Sequence, residues 1–108
     1  TKYNMNYQFI SLDESQDGKT KYTATFMNLN TGRIITRKFG QYGAGDYPYW
    51  YEERGREYAN MKKHAYISRH EVRETFDDPV QKSTLSLFIL WNKPTIDASL
   101  RNYLNTFF

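Results

Sequence analysis

The sequence feature that most constrains the fold is the apolar run LFILW at residues 87–91, which ends three residues before a proline. Together with Leu85, these side chains are apolar nearly all the way around a helix axis, so such a helix has to be buried on most sides. Residues 78–81, DPVQ, are typical of a helix start, with an acidic cap followed by a proline in the first helical position. The sequence therefore predicts that a helix over residues 79–91 is the central element of the core.

The residues after this run predict a tight corner between two helices. Pro94 disfavours helical geometry at the residue before it, so the first helix has to end by about Asn92. Thr95 can cap a second helix, and Asp97 would lie in its first turn, where the helix dipole favours an acid. That helix has an apolar stripe at helical spacing, formed by Ile96, Leu100, Tyr103, Leu104 and Phe107. We interpret Trp91, Asn92, Pro94 and Thr95 as a structural corner, and a ligand role for Trp91 or Lys93 is the alternative.

The first forty residues are predicted to form strands. Residues 21–27 alternate between two faces, and residues 33–39 follow them after the turn signal Asn-Thr-Gly at 30–32. Residues 3–12 form a plausible first strand, and the polar segment 13–18 separates it from the second. Short connections favour an antiparallel meander of three strands.

The middle of the chain joins this sheet to the helices. Three glycines within residues 40–45 interrupt the strand pattern, and we interpret residues 41–50 as an irregular loop rich in Gly and Tyr. Residues 51–72 are predicted to form an amphipathic helix, broken near Gly55, with an apolar stripe of Tyr58, Met61, Ala65 and Tyr66.

These elements predict an α+β fold, in which a three-stranded N-terminal sheet packs against two or three C-terminal helices. At 108 residues the chain has the length of one domain. We divide residues 1–108 into a β meander at 1–40, a loop at 41–50 and a helical part at 51–108.

The search for catalytic, metal and cofactor sites finds none that is convincing. The chain has no cysteine, which excludes disulfides and thiolate zinc sites, and its two histidines, His64 and His70, lack a known metal-ligand spacing. The glycine-rich segment 40–45 lacks the Lys-Ser/Thr of a phosphate-binding P-loop. A carboxylate pair such as Glu71 and Glu74 is the weaker, enzymatic alternative. We therefore expect no cofactor, no metal and no small-molecule ligand.

Positive charge is concentrated in the middle of the chain. Residues 33–73 hold nine Lys or Arg against five acids, a net charge of +4, whereas the whole chain carries +3. Clustered, these side chains would form a surface that contacts nucleic acid or a protein partner, and the alternative is a solvated surface of mixed charge. The candidate residues are Arg33, Arg37, Lys38, Tyr42, Arg54, Lys62, Lys63 and Arg69.

Two further features bear on partners and location. Aromatic residues make up 18% of the chain and include ten tyrosines, more than a small core needs, and tyrosine is enriched at protein interfaces. No apolar run approaches the roughly 20 residues that a membrane span requires, and residues 1–9 lack the pattern of a signal peptide.

Several segments together resemble a known family. They are Lys21-Tyr-Thr-Ala-Thr-Phe26, Phe39-Gly40, Gly43 with Asp46-Tyr47, Tyr66-Ile-Ser-Arg-His70, Asp78-Pro79, Leu85-Ser86, Ile89-Leu-Trp-Asn-Lys-Pro-Thr95 and Ala98-Ser-Leu100. In these segments the chain resembles a family of small uncharacterised proteins encoded by large nucleocytoplasmic DNA viruses, including viruses of algae and amoebae. The likeness spans about residues 20–105, and residues 89–95 are its most specific part.

The resemblance implies a viral origin and brings no catalytic residues with it. Small proteins of such viruses that are rich in tyrosine are often virion components, so we expect a structural, non-enzymatic minor capsid or virion-associated protein. Its expected partners are other virion or capsid proteins, and its expected location is the virion, with the host cytoplasm during assembly. The alternative function is a small basic module that binds nucleic acid weakly through residues 33–73.

Overall fold

The computed structural model describes residues 6–108, and it has the predicted α+β fold. Three antiparallel strands in the order β1-β2-β3 come first, and the helices follow them. The strands are β1 (Tyr7–Glu14), β2 (Thr20–Asn28) and β3 (Ile34–Gln41). The helices are α1 (Tyr47–Arg54), α2 (Arg56–His70), α3 (Lys82–Leu85), which continues as a π-helical turn (Ser86–Leu90), and α4 (Ile96–Phe107).

The meander has the predicted pairing, with small differences at the ends of its first strand. Residues 3–5 of that prediction lie outside the described residues, and β1 continues past Leu12 to Glu14 because residues 13 and 14 pair with β2. The register shifts between Phe9 and Ser11, which is a β-bulge at Ile10. On β2, Ala24 and Phe26 are fully buried, as the alternation predicts.

The core is a cluster of aromatic rings between the sheet and α4. Phe26 of β2 contacts the rings of Phe9 and Phe108 at centroid distances of 5.8 and 6.2 Å, and Phe9 also contacts Tyr103. The Tyr103 hydroxyl donates a hydrogen bond to the Pro79 carbonyl. Burial raises the pKa of Tyr103 far above its ordinary value, so the phenol stays protonated and keeps this donor.

The predicted helix start at Pro79 is wrong by three residues, because backbone carbonyls in this segment accept hydrogen bonds from side chains of other elements. The Pro79 carbonyl accepts from Tyr103, and the Val80 carbonyl accepts from Arg37 Nε at 3.0 Å. The Asp78 carboxylate accepts from the Val80 N–H at 3.1 Å, which makes a local turn in place of a helix cap. Helix α3 therefore begins at Lys82. Of the apolar residues that follow, Leu85, Ile89 and Leu90 are buried as predicted, whereas Leu87, Phe88 and Trp91 are only partly buried.

The interpretation of residues 41–50 as a loop is wrong at Gln41, which pairs with Thr20 and ends β3, and from residue 47 onwards. Asp46 caps α1, since its Oδ1 accepts from the Tyr49 N–H at 3.1 Å, and Pro48 lies in the first turn. The predicted break near Gly55 is confirmed, because α1 ends there with a φ of 89° and α2 begins at the next residue.

The predicted apolar stripe of α2 is only partly correct. Met61 is 53% exposed and Ala65 is exposed as well, whereas Ala59 is fully buried. Tyr58 and Tyr66 of the predicted stripe are half-buried, and Lys63 and His70, which are not part of it, are half-buried as well. Long and aromatic polar side chains can bury their apolar bodies while the polar tips reach water or a partner, and a hydrophobicity pattern misses them.

The corner after the π-helical turn is held by hydrogen bonds between side chains and backbone. Asn92 Nδ2 donates to the Phe88 carbonyl at 3.1 Å and to Asn102 Oδ1 of α4 at 2.8 Å. The Lys93 N–H donates to the Oγ of Ser99, which is fully buried. Thr95 caps α4 as predicted, with its Oγ1 accepting from the Ala98 N–H at 3.1 Å. The residues between the two helices thus have structural roles.

None of the helices formed by residues 6–108 is both long enough and apolar enough to span a membrane.

Two glycines near the end of β3 allow a matched test of packing. Gly40 and Gly43 both have a positive φ, but a Cβ at Gly40 would lie 2.8 Å from Leu90 Cδ1, whereas a Cβ at Gly43 has nothing within 4 Å. Both alanine substitutions strain the backbone by about 1–2 kcal/mol. We expect Gly40→Ala to cost about 1–3 kcal/mol more than Gly43→Ala, because Leu90 has to move. Urea unfolding of both variants measures the difference, and equal losses would contradict this close approach.

Candidate functional site

A cleft of about 570 Å³ lies between the end of the sheet, the loop that precedes α1, the second half of α2 and the π-helical turn. We call it the Tyr66 cleft. Both apolar and charged side chains line it. The residues that define it here are Lys19, Lys21, Gly40, Asp46, Tyr66, Arg69, His70, Ser86, Leu90 and Trp91.

An ion pair between Lys21 and Asp46 forms one side of the cleft. Lys21 Nζ lies 2.8 Å from Asp46 Oδ2, and the two side chains are only 17% and 13% exposed. Because the other Asp46 oxygen caps α1, one carboxylate holds the helix start and the second strand together. The pair therefore fixes α1 relative to the sheet.

A stack of three rings lies along another side. The rings of Tyr66 and Trp91 are nearly parallel, with centroids 5.1 Å apart, and His70 covers the Tyr66 ring at 4.2 Å. Burial raises the pKa of the Tyr66 phenol, and a hydrogen bond with Ser86 opposes that rise. Since His70 Nδ1 lies 3.0 Å from Glu74 Oε2, the outermost ring of the stack is held by a carboxylate. Trp91, predicted as a corner residue, thus also lines the cleft.

The π-helical turn supplies two cleft residues, Ser86 and Leu90. A π-helical turn is rare and is found frequently at functional sites. Here it places Leu90 against Gly40, whose lack of a side chain allows the close approach. The backbone geometry of this segment and the glycine in β3 therefore shape the cleft together.

Segments that are far apart in sequence meet at this cleft. Gly40, Asp46, Tyr66, Arg69, His70, Ser86, Leu90 and Trp91 all contribute to its lining. From the sequence, Arg69 was assigned to a basic surface and Trp91 to a corner with a ligand role as the alternative, and no cleft that joins them was predicted. The sequence signal for the cleft is a set of polar residues in these segments, such as Asp46 and His70, that have no role in an apolar core.

The candidate basic residues of the sheet point in different directions. Arg37 and Lys38 are neighbours on β3, so their side chains lie on opposite faces. Arg37 donates to the Val80 carbonyl, and Lys38 lies 3.6 Å from Asp17. Arg33 precedes β3 and is exposed, and Tyr42 follows it with 68% exposure. The structure does not bring Arg37 and Lys38 onto one face.

The candidate basic residues of the helices divide in the same way. Arg69 lines the Tyr66 cleft. Lys63 lies over the Tyr47 ring at 5.5 Å and donates to the Asn92 carbonyl at 3.3 Å, and burial lowers its pKa. Arg54 and Lys62 contact aromatic rings on the outside of α1 and α2. The candidate basic residues thus lie in several different environments, and the structure does not gather them into one surface.

A second feature, which we call the α1–α2 aromatic surface, consists of Tyr49, Trp50, Arg54, Tyr58 and Lys62. The Trp50 ring contacts Tyr49 at 4.9 Å and Tyr58 at 5.2 Å. Arg54 lies 4.3 Å from the Tyr58 centroid, and Lys62 lies 5.0 Å from that of Trp50. These cation–π contacts hold long charged side chains against the rings. Tyr49 is half exposed, so a partner can reach this surface.

Within residues 6–108, no three side chains of His, Asp or Glu are grouped so that they could hold a metal ion. His64 is exposed on α2, and His70 ends that helix and is half-buried. Comparison of the chain with protein-family models, with curated proteins and with solved structures found no match.

A double-mutant cycle tests whether the Lys21–Asp46 pair joins the sheet to α1. Asp46→Asn keeps an oxygen for the helix cap but removes the charge, and it leaves Lys21 without a carboxylate. We expect a coupling energy of about 1–3 kcal/mol between Asp46→Asn and Lys21→Met in denaturant unfolding. The matched control is the exposed pair of Lys38 and Asp17, for which we expect a much smaller coupling. Equal coupling in the two cycles would show that Lys21 and Asp46 are not a structural link.

Proposed function

We propose that this protein is a structural, non-enzymatic component of the virion of a large double-stranded DNA virus. In this proposal it is a minor capsid or virion-associated protein that acts through contacts with other virion proteins. The viral origin is supported by the resemblance in residues 20–105. Action through protein contacts is supported by one structural observation, the α1–α2 aromatic surface.

The composition of this surface favours a protein partner. Protein interfaces are enriched in Tyr, Trp and Arg, and these residues contribute most of the binding energy at hot spots. Tyr49, Trp50, Arg54 and Tyr58 supply all three types on adjoining turns of two helices. Since Lys62 and Arg54 already lie against the rings, less side-chain entropy is lost when a partner covers them.

The alternative function, nucleic-acid binding, has weaker support. Proteins that bind single strands offer open ring faces for base stacking and free cations for phosphates. Here Trp50 has Tyr49, Tyr58 and Lys62 around it, and Arg54 covers Tyr58. Lys38, Lys63 and Arg37 make contacts of their own. Weak binding that does not depend on nucleotide sequence is the most that this arrangement favours.

The proposed location is the mature virion, with the host cytoplasm as the place of assembly. A photo-crosslinking benzoylphenylalanine in place of Tyr49, introduced into the viral gene, tests both location and contact. We expect mass spectrometry of purified, irradiated particles to find this chain covalently joined to another virion protein. The same amino acid in place of Arg101, an exposed residue of α4, is the control and should give fewer such products.

Two results would contradict this proposal. If the chain is absent from purified particles, it is not a virion component. If Tyr49 and Arg101 positions give equal cross-linking, the α1–α2 aromatic surface is not the contact.

Salt dependence distinguishes the nucleic-acid alternative. A surface that neutralises several phosphates loses affinity steeply with salt, with a slope of about 0.9 per phosphate on duplex DNA. We expect duplex and single-stranded DNA to bind no tighter than about 10⁻⁴ M at physiological salt, the weak end of the non-specific range. Fluorescence anisotropy at low and moderate salt measures this. If DNA binds more tightly than this, and if Lys62→Gln lowers the salt slope by roughly one unit, the nucleic-acid function is favoured instead.

A further inference from the structure

The Tyr66 cleft has more positive charge than its carboxylate can balance. Lys19, Lys21 and Arg69 line it, and among the described residues that line it Asp46 is the one carboxylate. Asp46 is matched by Lys21 at 2.8 Å. Neither Lys19 nor Arg69 forms an ion pair with any carboxylate of residues 6–108. Two cations without partners at the same cleft favour an anionic ligand.

The cleft also has an apolar part. Tyr66, Leu90 and Trp91 line it beside Gly40, which adds backbone and no side chain. Its volume of about 570 Å³ falls within the roughly 300–1,000 Å³ of sites that bind small organic molecules, and a bare inorganic anion would fill little of it. The geometry therefore fits an anion that carries a flat or apolar group.

We propose that the Tyr66 cleft binds a small organic phosphate of the mononucleotide class. Arg69 and Lys19 hold the phosphate, since a guanidinium can donate two parallel hydrogen bonds to phosphate oxygens and a lysine adds a second charge. The base lies along the apolar side formed by Tyr66, Leu90 and Trp91. This inference is independent of the proposed virion role, and it replaces the expectation that the chain takes no small-molecule ligand.

The carboxylates around the cleft favour a single nucleotide over a strand. Asp46 lines the cleft itself, and Glu74 lies 3.0 Å from His70 at its edge. A nucleic-acid strand that continued past the cleft would bring further phosphates toward these negative groups, and like charges repel. A mononucleotide places its one phosphate at Lys19 and Arg69 and avoids them.

Calorimetric titration of the full chain with adenosine monophosphate, adenosine and inorganic phosphate tests the proposal. We expect the nucleotide to bind at least about ten-fold tighter than either fragment, because both parts of the cleft contribute. Lys19→Gln should weaken nucleotide binding by about ten-fold, the loss of one charge-assisted hydrogen bond, and Arg69→Gln should weaken it at least as much, because the guanidinium can donate two. Arg73→Gln is the matched control, since Arg73 is exposed four residues away and does not line the cleft. We expect Arg73→Gln to change the affinity for the nucleotide by less than about two-fold.

Several outcomes would overturn the proposal. Phosphate that binds as tightly as the nucleotide would show that no base is recognised, and a hexaglutamate peptide that binds more tightly would make the cleft a site for acidic protein segments. The absence of binding below about 1 mM for all three ligands would remove the site. If Arg69→Gln and Arg73→Gln weaken nucleotide binding equally, the weakening is due to the overall charge of the protein and not to the cleft. Circular dichroism and the unfolding midpoint of each variant verify that the binding losses are not losses of folding.

Discussion

The partly buried ion pair between Lys21 and Asp46 joins the two halves of this fold. Burial of two charges is favourable only when the geometry is good and the remaining oxygen is satisfied. Asp46 meets both conditions, because one oxygen accepts from Lys21 and the other from the Tyr49 N–H at the start of α1. The position of α1, and with it the aromatic surface and one side of the Tyr66 cleft, depends on this carboxylate.

Sequence reasoning succeeded where one local rule decides a structure. The alternation in β2 and the Thr95 cap are of this kind, since each depends on neighbouring residues. It failed at Pro79, whose carbonyl accepts from Tyr103 on another helix, because no local pattern reports a tertiary hydrogen bond. The start of α1 was missed for another reason, because the glycines before Asp46 concealed a capping signal that was present.

The cleft was harder to predict than the fold because it is made of residues that hydrophobicity patterns rank as surface. His70 and Lys21 are polar, yet both are half-buried and held by carboxylates. Tyr66 was assigned to an apolar stripe, but its ring contacts those of His70 and Trp91. A linear pattern reports which side of a helix is apolar, and it cannot report which separated residues meet there.

The net charge of +4 in residues 33–73 shows why composition alone did not locate a function. Six of its nine cations have four different uses: Arg37 and Lys63 hold backbone carbonyls, Arg54 and Lys62 cover aromatic rings, Lys38 lies beside Asp17, and Arg69 lines the cleft. A cation that holds a carbonyl or covers a ring is less available to an external phosphate than a cation without a partner. Arg69 and Lys19 form no ion pair with a carboxylate of residues 6–108, so they are a stronger sign of an anion site than the net charge of +4. Because the aromatic surface and the cleft share none of their defining residues, a protein partner and a small ligand can be bound by the same chain without competing for side chains.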